Sequence, residues 1–501
     1  MAAPLHQFEV DAAREIVREA KAVWTAAASA PESLLNDVNA LHQNDESNPI
    51  VTLSFPGIPV ATFVNWLGPR LIYWPDGVTN RHRISIVSSR IGKRKDLKRD
   101  WFDALRTAAM RCDVESECLC CVDSTSTAPA VIRASELFGI KRLRLCAPDD
   151  EAVDEDGLAV WLSTISGHGT AAVSELERTA FVSPPLPTSA DADIFKQRDN
   201  ILPIVDTLLT FAGQRIIVLS RRRGGNVDRL LDQHLSDSRL RRTVLLASFP
   251  ESPPDPTADA LIDKGAVRWI LDRHGKEDAL VTDDSDQTSD QPQAQFMHAN
   301  DGPLVRPDEW LCHWTRPRYG PWSGQDDADF WDELILGCQT ADRSAFAALL
   351  RIVQQQTILA AKPTQNARPT VSFTAVPLRE FRRRRVFRKH KQRHDFEPWG
   401  IALHKSFVES LGGKPVTYVD EIPKDASQEI ATFLQPIGNT AGTIDWREER
   451  EWRVPERVNL QAAPAGSVVV FVDTCLEQQR MQRVSSWPVI TTPRPDMGNQ
   501  T

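Results

Sequence analysis

The chain is poor in cysteine and has no long hydrophobic run. Eight cysteines are spread over 501 residues, and only CLCC at Cys118–Cys121 brings several together. No paired CxxC spacing points to zinc, and no metal site is expected. Nothing resembles the dense framework of a disulfide-stapled secreted domain. Buried free thiols in a reducing, cytoplasmic setting are the expectation. No apolar stretch approaches the ~20 residues of a membrane-spanning helix. The opening MAAPLHQFEVDAAREIVREA lacks a basic region followed by an apolar core, so no secretory signal is expected. Basic charge is also in deficit. A net charge of −9 excludes a wholesale nucleic-acid coat and leaves room for local basic patches. The phosphate-binding patterns GxGxxG and GxxxxGK[ST] are missing as well.

What is present is ample core material, 41% hydrophobic and 25% charged, as in ordinary soluble proteins. The length suggests about three domains. Residues 9–30 carry apolar side chains at three- and four-residue spacing and predict an amphipathic helix. The stretch VTLSFPGIPVATFVNWLGPRLIYWP predicts two or three short strands or turns. Residues 1–80 are therefore an N-terminal extension or the first layer of the next domain.

From residue 81 strands alternate with helices. Strands are predicted at 83–89, 118–123, 141–148, 215–220, 243–248 and 267–271, with helices at 100–111, at 128–139 and in the segment after residue 221. That order implies parallel βαβ units. Residues 81–280 read as one doubly wound α/β domain or two half-domains. In such sheets ligands sit at the carboxyl ends of strands. Three strand ends suit an anion: Ser88-Ser89-Arg90 with Gly92, the run Ser124–Thr127 beginning Ser124-Thr125, and Ser220-Arg221 with Gly224-Gly225. Free N–H groups at the following helix can meet a phosphate. Ordinary N-caps and turns use the same residues.

The strand-Ser-Arg-Gly opening at 84–92, the Gly224-Gly225 turn and Arg198-Asp199 ahead of ILPIVDTLLTFAG resemble SLOG-type Rossmann-like domains, which sense or process nucleotides. The glycine-rich GG-x-G loop of that family is not clearly present, so the resemblance implies nucleotide binding rather than cleavage.

Residues 281–303 are polar and acidic without periodicity and predict a linker. Residues 304–485 then predict an α+β domain with more strands than helices. Its elements are HWT at His313–Thr315, a helix at 344–356, VSFT at 371–374, a basic run at 381–394, strands GIALHK and KPVTYVD, and SVVVFVD at 467–473. Residues 486–501 are proline-bearing and predict a flexible tail. Within this domain DWREEREWR (445–453), read as extended, puts Glu449, Glu451 and Arg453 on one face. Two carboxylates so placed repel each other. The alternative is a solvated, charged edge strand. The basic run from Arg379 to Arg393, which contains Arg382–Arg393 and has Phe381 and Phe387 interleaved, suits nucleic-acid phosphates and bases, the pyrophosphate of a dinucleotide, or a solvated basic loop.

The order HWT, helix, VSFT, GIAL, GGKPVTYV, EREWR resembles ADP-ribosyltransferase-like proteins. In particular it resembles abortive-infection proteins and related bacterial toxins with a late E-x-E-W-R strand, and the resemblance covers most of 311–456. The resemblance implies NAD as substrate, with Glu451 as catalytic acid and Glu449 as its E-x-E partner. His313 would hold the nicotinamide ribose, assisted by Thr315, with Ser372 and Thr374 near the nicotinamide. Tyr418 and Trp399 are candidates for the stacking aromatic. The long basic insertion after VSFT departs from the toxin pattern. The implied activity is an ADP-ribosyltransferase gated by a nucleotide-binding domain, in a phage-defence or stress setting. A non-catalytic nucleotide sensor and a ligand-free interaction protein are the alternatives.

Overall fold

A computed structural model describes residues 9–29, 40–42, 49–147, 152–167, 176–186, 203–240, 242–250, 255–271, 303–304, 306–361, 368–381, 385–388, 393–423, 425–437 and 446–492. These divide into two compact units. The first lies within Met1–Thr282 together with Pro321–Ala341; the second lies within Asp283–Gly320 together with Asp342–Thr501. Thirteen α-helices and several sheets among the described residues make this a mixed α/β protein. None of those helices is long and apolar enough to cross a membrane.

The first unit is built on ten strands: β1 (Ala40–His42), β2 (Ile50–Thr52), β3 (Ile72–Trp74), β4 (His82–Ser88), β5 (Glu117–Val122), β6 (Lys141–Cys146), β7 (Glu177–Val182), β8 (Arg215–Ser220), β9 (Thr243–Ser248) and β10 (Val267–Ile270). Their order across the sheet is β1-β2-β3-β7-β6-β5-β4-β8-β9-β10. Pairing is parallel throughout from β7 to β10. It is antiparallel among β1, β2, β3 and β7. β1, β2 and β3 thus extend the sheet whose parallel part contains β4.

Its helices are α1 (Val10–Ser29), α2 (Val60–Leu67), α3 (Arg99–Met110), α4 (Ala128–Leu137), α5 (Glu155–Gly167), α6 (Ile204–Ala212), α7 (Asn226–Ser236), α8 (Pro256–Asp263) and α9 (Asp327–Leu336). One core gathers Phe63, Leu208, Phe211, Leu231 and Leu261 of α2, α6, α7 and α8 over Cys120, Leu143, Ile216 and Val244. The other gathers Phe102, Leu105, Ala130 and Val131 of α3 and α4, with Phe330 and Leu334 of α9, over Ile84, Leu119 and Ile217. Helices on both faces explain why β5 is buried at every position, as a sheet covered twice requires. α2 replaces the strand or turn expected there. Val60, Phe63 and Leu67 fall on one buried side, Pro59 precedes the first turn, and Gly68 at φ 77 ends it.

The second unit carries a seven-stranded sheet. Its strands are β11 (Trp310–Trp314), β13 (Thr370–Thr374), β16 (Gly400–His404), β17 (Lys414–Pro415), β20 (Glu451–Pro455), β22 (Val468–Val472) and β23 (Val489–Thr491), in the order β17-β20-β13-β11-β16-β22-β23. Short ladders join β12 (Thr357–Ile358) to β21 (Val458–Asn459), β14 (Phe387–Arg388) to β15 (Arg393–His394), and β18 (Thr417–Val419) to β19 (Leu434–Pro436). The helices are α10 (Ala345–Gln355), α11 (Lys405–Ser410), α12 (Gln428–Ala431) and α13 (Cys475–Gln482). One sheet face packs Leu311, Phe373, Ile401, Val454 and Val470 against Leu349, Val353 and Phe407. The other buries Trp310, Cys312, Trp314, Ala402 and Phe471 with Leu378, Phe381 and Phe396.

Three sequence expectations change here. KPVTYVD is not one strand: β17 and β18 belong to different sheets. Val489–Thr491, expected in a flexible tail, is an edge strand paired parallel with β22. The segment Pro321–Ala341, expected within the final domain, packs in the first unit. The expected linker, up to residue 302, lies outside the described residues, as do Arg198-Asp199 and 493–501.

Candidate functional site

Register decides which side chains of the second unit meet. β13 pairs with β20 so that Thr374 opposes Glu451 and Ser372 opposes Arg453. β11 meets β13 at one residue pair, Cys312 with Thr374, whereas it meets β16 at five. Opposed residues share a face. Ser372, Thr374, Glu451 and Arg453 therefore lie on the face of Cys312, and His313 aligns with Phe373 on the other.

On the first of these faces the polar groups are tightly connected. The exposed Ser372 hydroxyl donates to Glu451 Oε1 at 2.8 Å. Arg453 grips the same carboxylate with Nε to Oε1 at 2.9 Å and Nη2 to Oε2 at 3.1 Å. This forked, charge-assisted pairing is the stronger kind. The same guanidinium also donates to the carbonyls of Thr432 (3.0 Å) and Leu434 (3.2 Å) and to Gln435 Oε1 (2.6 Å). Arg453 thus ties the Glu451 carboxylate to the α12–β19 segment. Tyr418 completes the cluster. Burial, then the nearby Glu451 charge, pushes its phenol above the ordinary tyrosine value, and a hydrogen bond with the Glu451 backbone partly offsets this.

The approach to Glu451 departs from the alternation expected of an extended DWREEREWR. Trp446–Glu449 form a 3₁₀ turn. Arg450 then adopts φ 46, and Glu456 beyond the strand adopts φ 65. Left-handed backbone is rare for non-glycine residues and is held only by its surroundings. Here Arg450 is held by its carbonyl accepting from Ala375 N at 3.1 Å. Thr374 Oγ1 donates to the Glu449 carbonyl. The expected pair of carboxylates on one strand face is therefore corrected. Glu449 contributes its backbone in a turn, and Glu451 is the first residue of the strand. In the S-x-T pattern, Ser372 holds the carboxylate while Thr374 holds the chain that leads to it.

His313 stands where β11 and β13 part. Its Nδ1 lies 2.9 Å from the Ser372 carbonyl. Burial lowers its pKa to about 4; the Ser372 carbonyl works against that shift, and Arg316 adds to it. The ring is therefore neutral at pH 7, with Nδ1 carrying the proton that the carbonyl accepts. Thr315 is buried, donating to the carbonyls of Ala345 (2.8 Å) and Trp399 (3.1 Å). The structure brings Ser372, Thr374 and Glu451 together. It sets the His313 and Thr315 side chains to packing and backbone contacts on the other side, so a shared cleft between the His313 and Glu451 side chains is not formed. Tyr418 is at the site, whereas Trp399 packs against the core of the opposite face and offers its carbonyl to Thr315.

In the first unit the strand order reverses between β4 and β8. Their ends are laced together. Ser88 Oγ and Ser220 Oγ are 2.9 Å apart, Trp101 Nε1 donates to Ser88 Oγ at 2.9 Å, and Ser89 Oγ accepts from Arg222 N at 2.9 Å. The exposed Arg90 remains at the rim. Asp206 in the first turn of α6 is half-buried; burial raises its pKa and Arg90 partly opposes the shift. Asp206 was not among the residues expected at this site, although one acid in the apolar run ILPIVDTLLTFAG was the available signal. The Gly224-Gly225 turn is already filled: Gly224 N donates to Asp228 Oδ2 at 2.9 Å, and Arg221 pairs with Asp228 and Asp255. That corrects its reading as an open phosphate cradle. At the third strand end Ser124 is exposed, and Thr125 closes a turn onto the Val122 carbonyl at 2.8 Å.

The basic run is described only in part, since 382–384 and 389–392 lie outside the described residues. Arg385 pairs with Glu397 at 3.0 Å. Phe387 is 48% exposed beside His394, but Phe381 is 1% exposed in the core, so Phe381 is unavailable to a base. Among the described residues no cluster of His, Cys, Asp or Glu is arranged to hold a metal ion.

Comparison with protein-family models, curated proteins and solved structures returned no match.

Proposed function

We propose that the second unit is an ADP-ribosyltransferase-like module that uses NAD, with Glu451 as its catalytic carboxylate. The supporting observation is the Ser372–Glu451–Arg453 arrangement: an exposed hydroxyl on one core strand bonded to a carboxylate that an arginine fixes from the same strand. Cleaving the nicotinamide–ribose bond builds positive charge on the ribose. A carboxylate held rigid at a half-buried position stabilises that charge without having to reorganise. Ser372 orients the carboxylate and offers a hydroxyl to the sugar. His313 takes a positioning role in this reading, fixing β13 through the Ser372 carbonyl rather than touching ribose. The first unit, as a doubly wound Rossmann-like domain, is the nucleotide-binding partner. The nucleotide would sit at the ends of β4 and β8, where the strand order reverses and such sheets take ligands, and Arg90 and Asp206 suit a phosphate and a ribose hydroxyl.

The test is transfer of label from adenylate-labelled NAD to proteins of a cell extract. Wild-type protein should transfer label, and Glu451→Gln should reduce transfer about 100-fold or more. No transfer by either protein removes the enzymatic reading. A second reading, a non-catalytic nucleotide sensor, is favoured by one observation: Arg453 already occupies both oxygens of Glu451. Saturable NAD binding without transfer would select it.

A further inference from the structure

The excursion Pro321–Ala341 leaves the second unit after Gly320, docks in the first, and returns at Asp342. At its centre α9 is built to stay intact. Asp326 caps its start by accepting from Asp329 N at 2.6 Å. Gly337 at φ 71 ends it, with Cys338 N returning to the Glu333 carbonyl at 2.9 Å; only glycine takes that conformation without steric cost. Its docking is specific. Phe330, Leu334 and Ile335 are buried against α3 and α4. Asp332 accepts a forked pair from Arg133 at 2.6 and 2.7 Å, and Arg106 donates to the Ile335 carbonyl at 3.0 Å. Trp331 carries Lys95 over its ring at 5.2 Å. Lys95 belongs to the loop that follows β4, the strand whose end carries Ser88, Ser89 and Arg90.

The feet of the excursion are fastened just as deliberately within the second unit. Arg318 N donates to the Arg343 carbonyl at 2.9 Å, and Arg343 Nε donates to the Gly320 carbonyl at 3.3 Å. Arg343 is 1% exposed, one of the largest fully buried side chains. Thr315 Oγ1 donates to the Ala345 carbonyl at 2.8 Å, joining the end of β11 to the start of α10. The loop is therefore closed at its base by a buried cation and held at its tip by a forked ion pair and three apolar anchors. Only a few residues of chain separate the base from the tip on either side.

We propose that α9 is a coupling element. Its docking in the first unit is linked to order at the base, residues 315–320 and 342–345, and through it to β11 and α10. Rearrangement of the loop after β4 would reach the second unit through the backbone itself. This inference stands whether or not the second unit is an enzyme.

The experiment is hydrogen exchange by mass spectrometry on the full chain. Asp332→Asn weakens the tip and Arg343→Lys weakens the base. Asp332→Asn should speed exchange in α3 and α4 and also at 315–320 and 342–345, by about fivefold or more. Arg343→Lys should speed exchange at the base and, reciprocally, in α9, since linkage runs both ways. Lys264→Ala removes an exposed pair with Asp232 in the first unit and should leave the base unchanged. Effects confined to the unit that carries each substitution, a response in one direction only, or loosening of the base by Lys264→Ala would each overturn the proposal. Should Asp332→Asn fail to fold, Trp331→Phe provides the milder weakening of the tip and carries the same expectations.

Discussion

His234 shows at the scale of a residue how burial sets a protein's pH response. It is fully buried on α7, edge-on to Phe211, and neither ring nitrogen has a hydrogen-bond partner among the described residues. Burial lowers its pKa to about 4; Arg242 lowers it further and Asp237 opposes. The folded state therefore resists protonation that the unfolded chain accepts near pH 6.5. Stability is complete above pH 6.5 and falls as pH drops from there towards 4, by up to about 3 kcal/mol from this group. Urea unfolding at pH 7 and pH 4.5, followed through the first unit, should show that loss, and His234→Phe should flatten it. An equal loss in His234→Phe would assign it elsewhere. Glu451, Ser372, Thr374 and His313 were all legible as residues, and so was the shared face of Glu451 and Arg453; the opposite face of His313 and the turn at Glu449 were not. Strict alternation would have aligned Glu449 with Glu451. The left-handed Arg450 breaks that count, and nothing in its residue type announces the conformation. Tyr418 was legible only as a candidate aromatic, because the ladders of β17 and β18 separate at Val416.

Among the elements, the parallel strands were easiest to read. β5 and β8 are short, largely apolar runs buried on both faces, which removes any need for polar alternation. β7, ERTAFV, escaped notice because its first three residues are polar and only its end is buried. The pairing of β11 with β16 depends on a feature no periodicity reveals. Gly400 lies against the His313 backbone, and a methyl group there would fall 2.2 Å from the His313 carbonyl oxygen and 2.5 Å from the Phe471 ring. Gly400→Ala should therefore push β11 and β16 apart and destabilise the second unit by about 1–3 kcal/mol. Its thermal midpoint measures the effect, and an unchanged midpoint would mean that the strands separate freely.

For the molecule as a whole, sequence order and structural membership differ. Composition places a boundary in the acidic stretch 281–303, which invites a cut there. A fragment of residues 1–282 would lack α9 and leave Phe102, Leu105 and their neighbours on α3 and α4 without the cover of Phe330, Leu334 and Ile335. Such a fragment should melt lower than the first unit in the full chain, bind a hydrophobic dye, and aggregate. Supplying residues 321–341 as a peptide should relieve these effects. A fragment as stable as the intact unit would show that α9 is dispensable to it. This membership could not be read from sequence because α9 meets a partner 229 positions earlier, and its amphipathic pattern names no partner.

The same displacement bears on how the protein is made. β10 ends at Ile270 and α9 at Leu336, so the ribosome completes the first sheet well before it delivers the helix that covers it. At about 5–20 residues per second the delay is several seconds, long compared with the collapse of a nascent domain. During that interval the residues of α3 and α4 that α9 later covers, Phe102 and Leu105 among them, lack that cover. Nascent-chain chaperones should engage this protein there, and release it once residue 336 has cleared the exit tunnel.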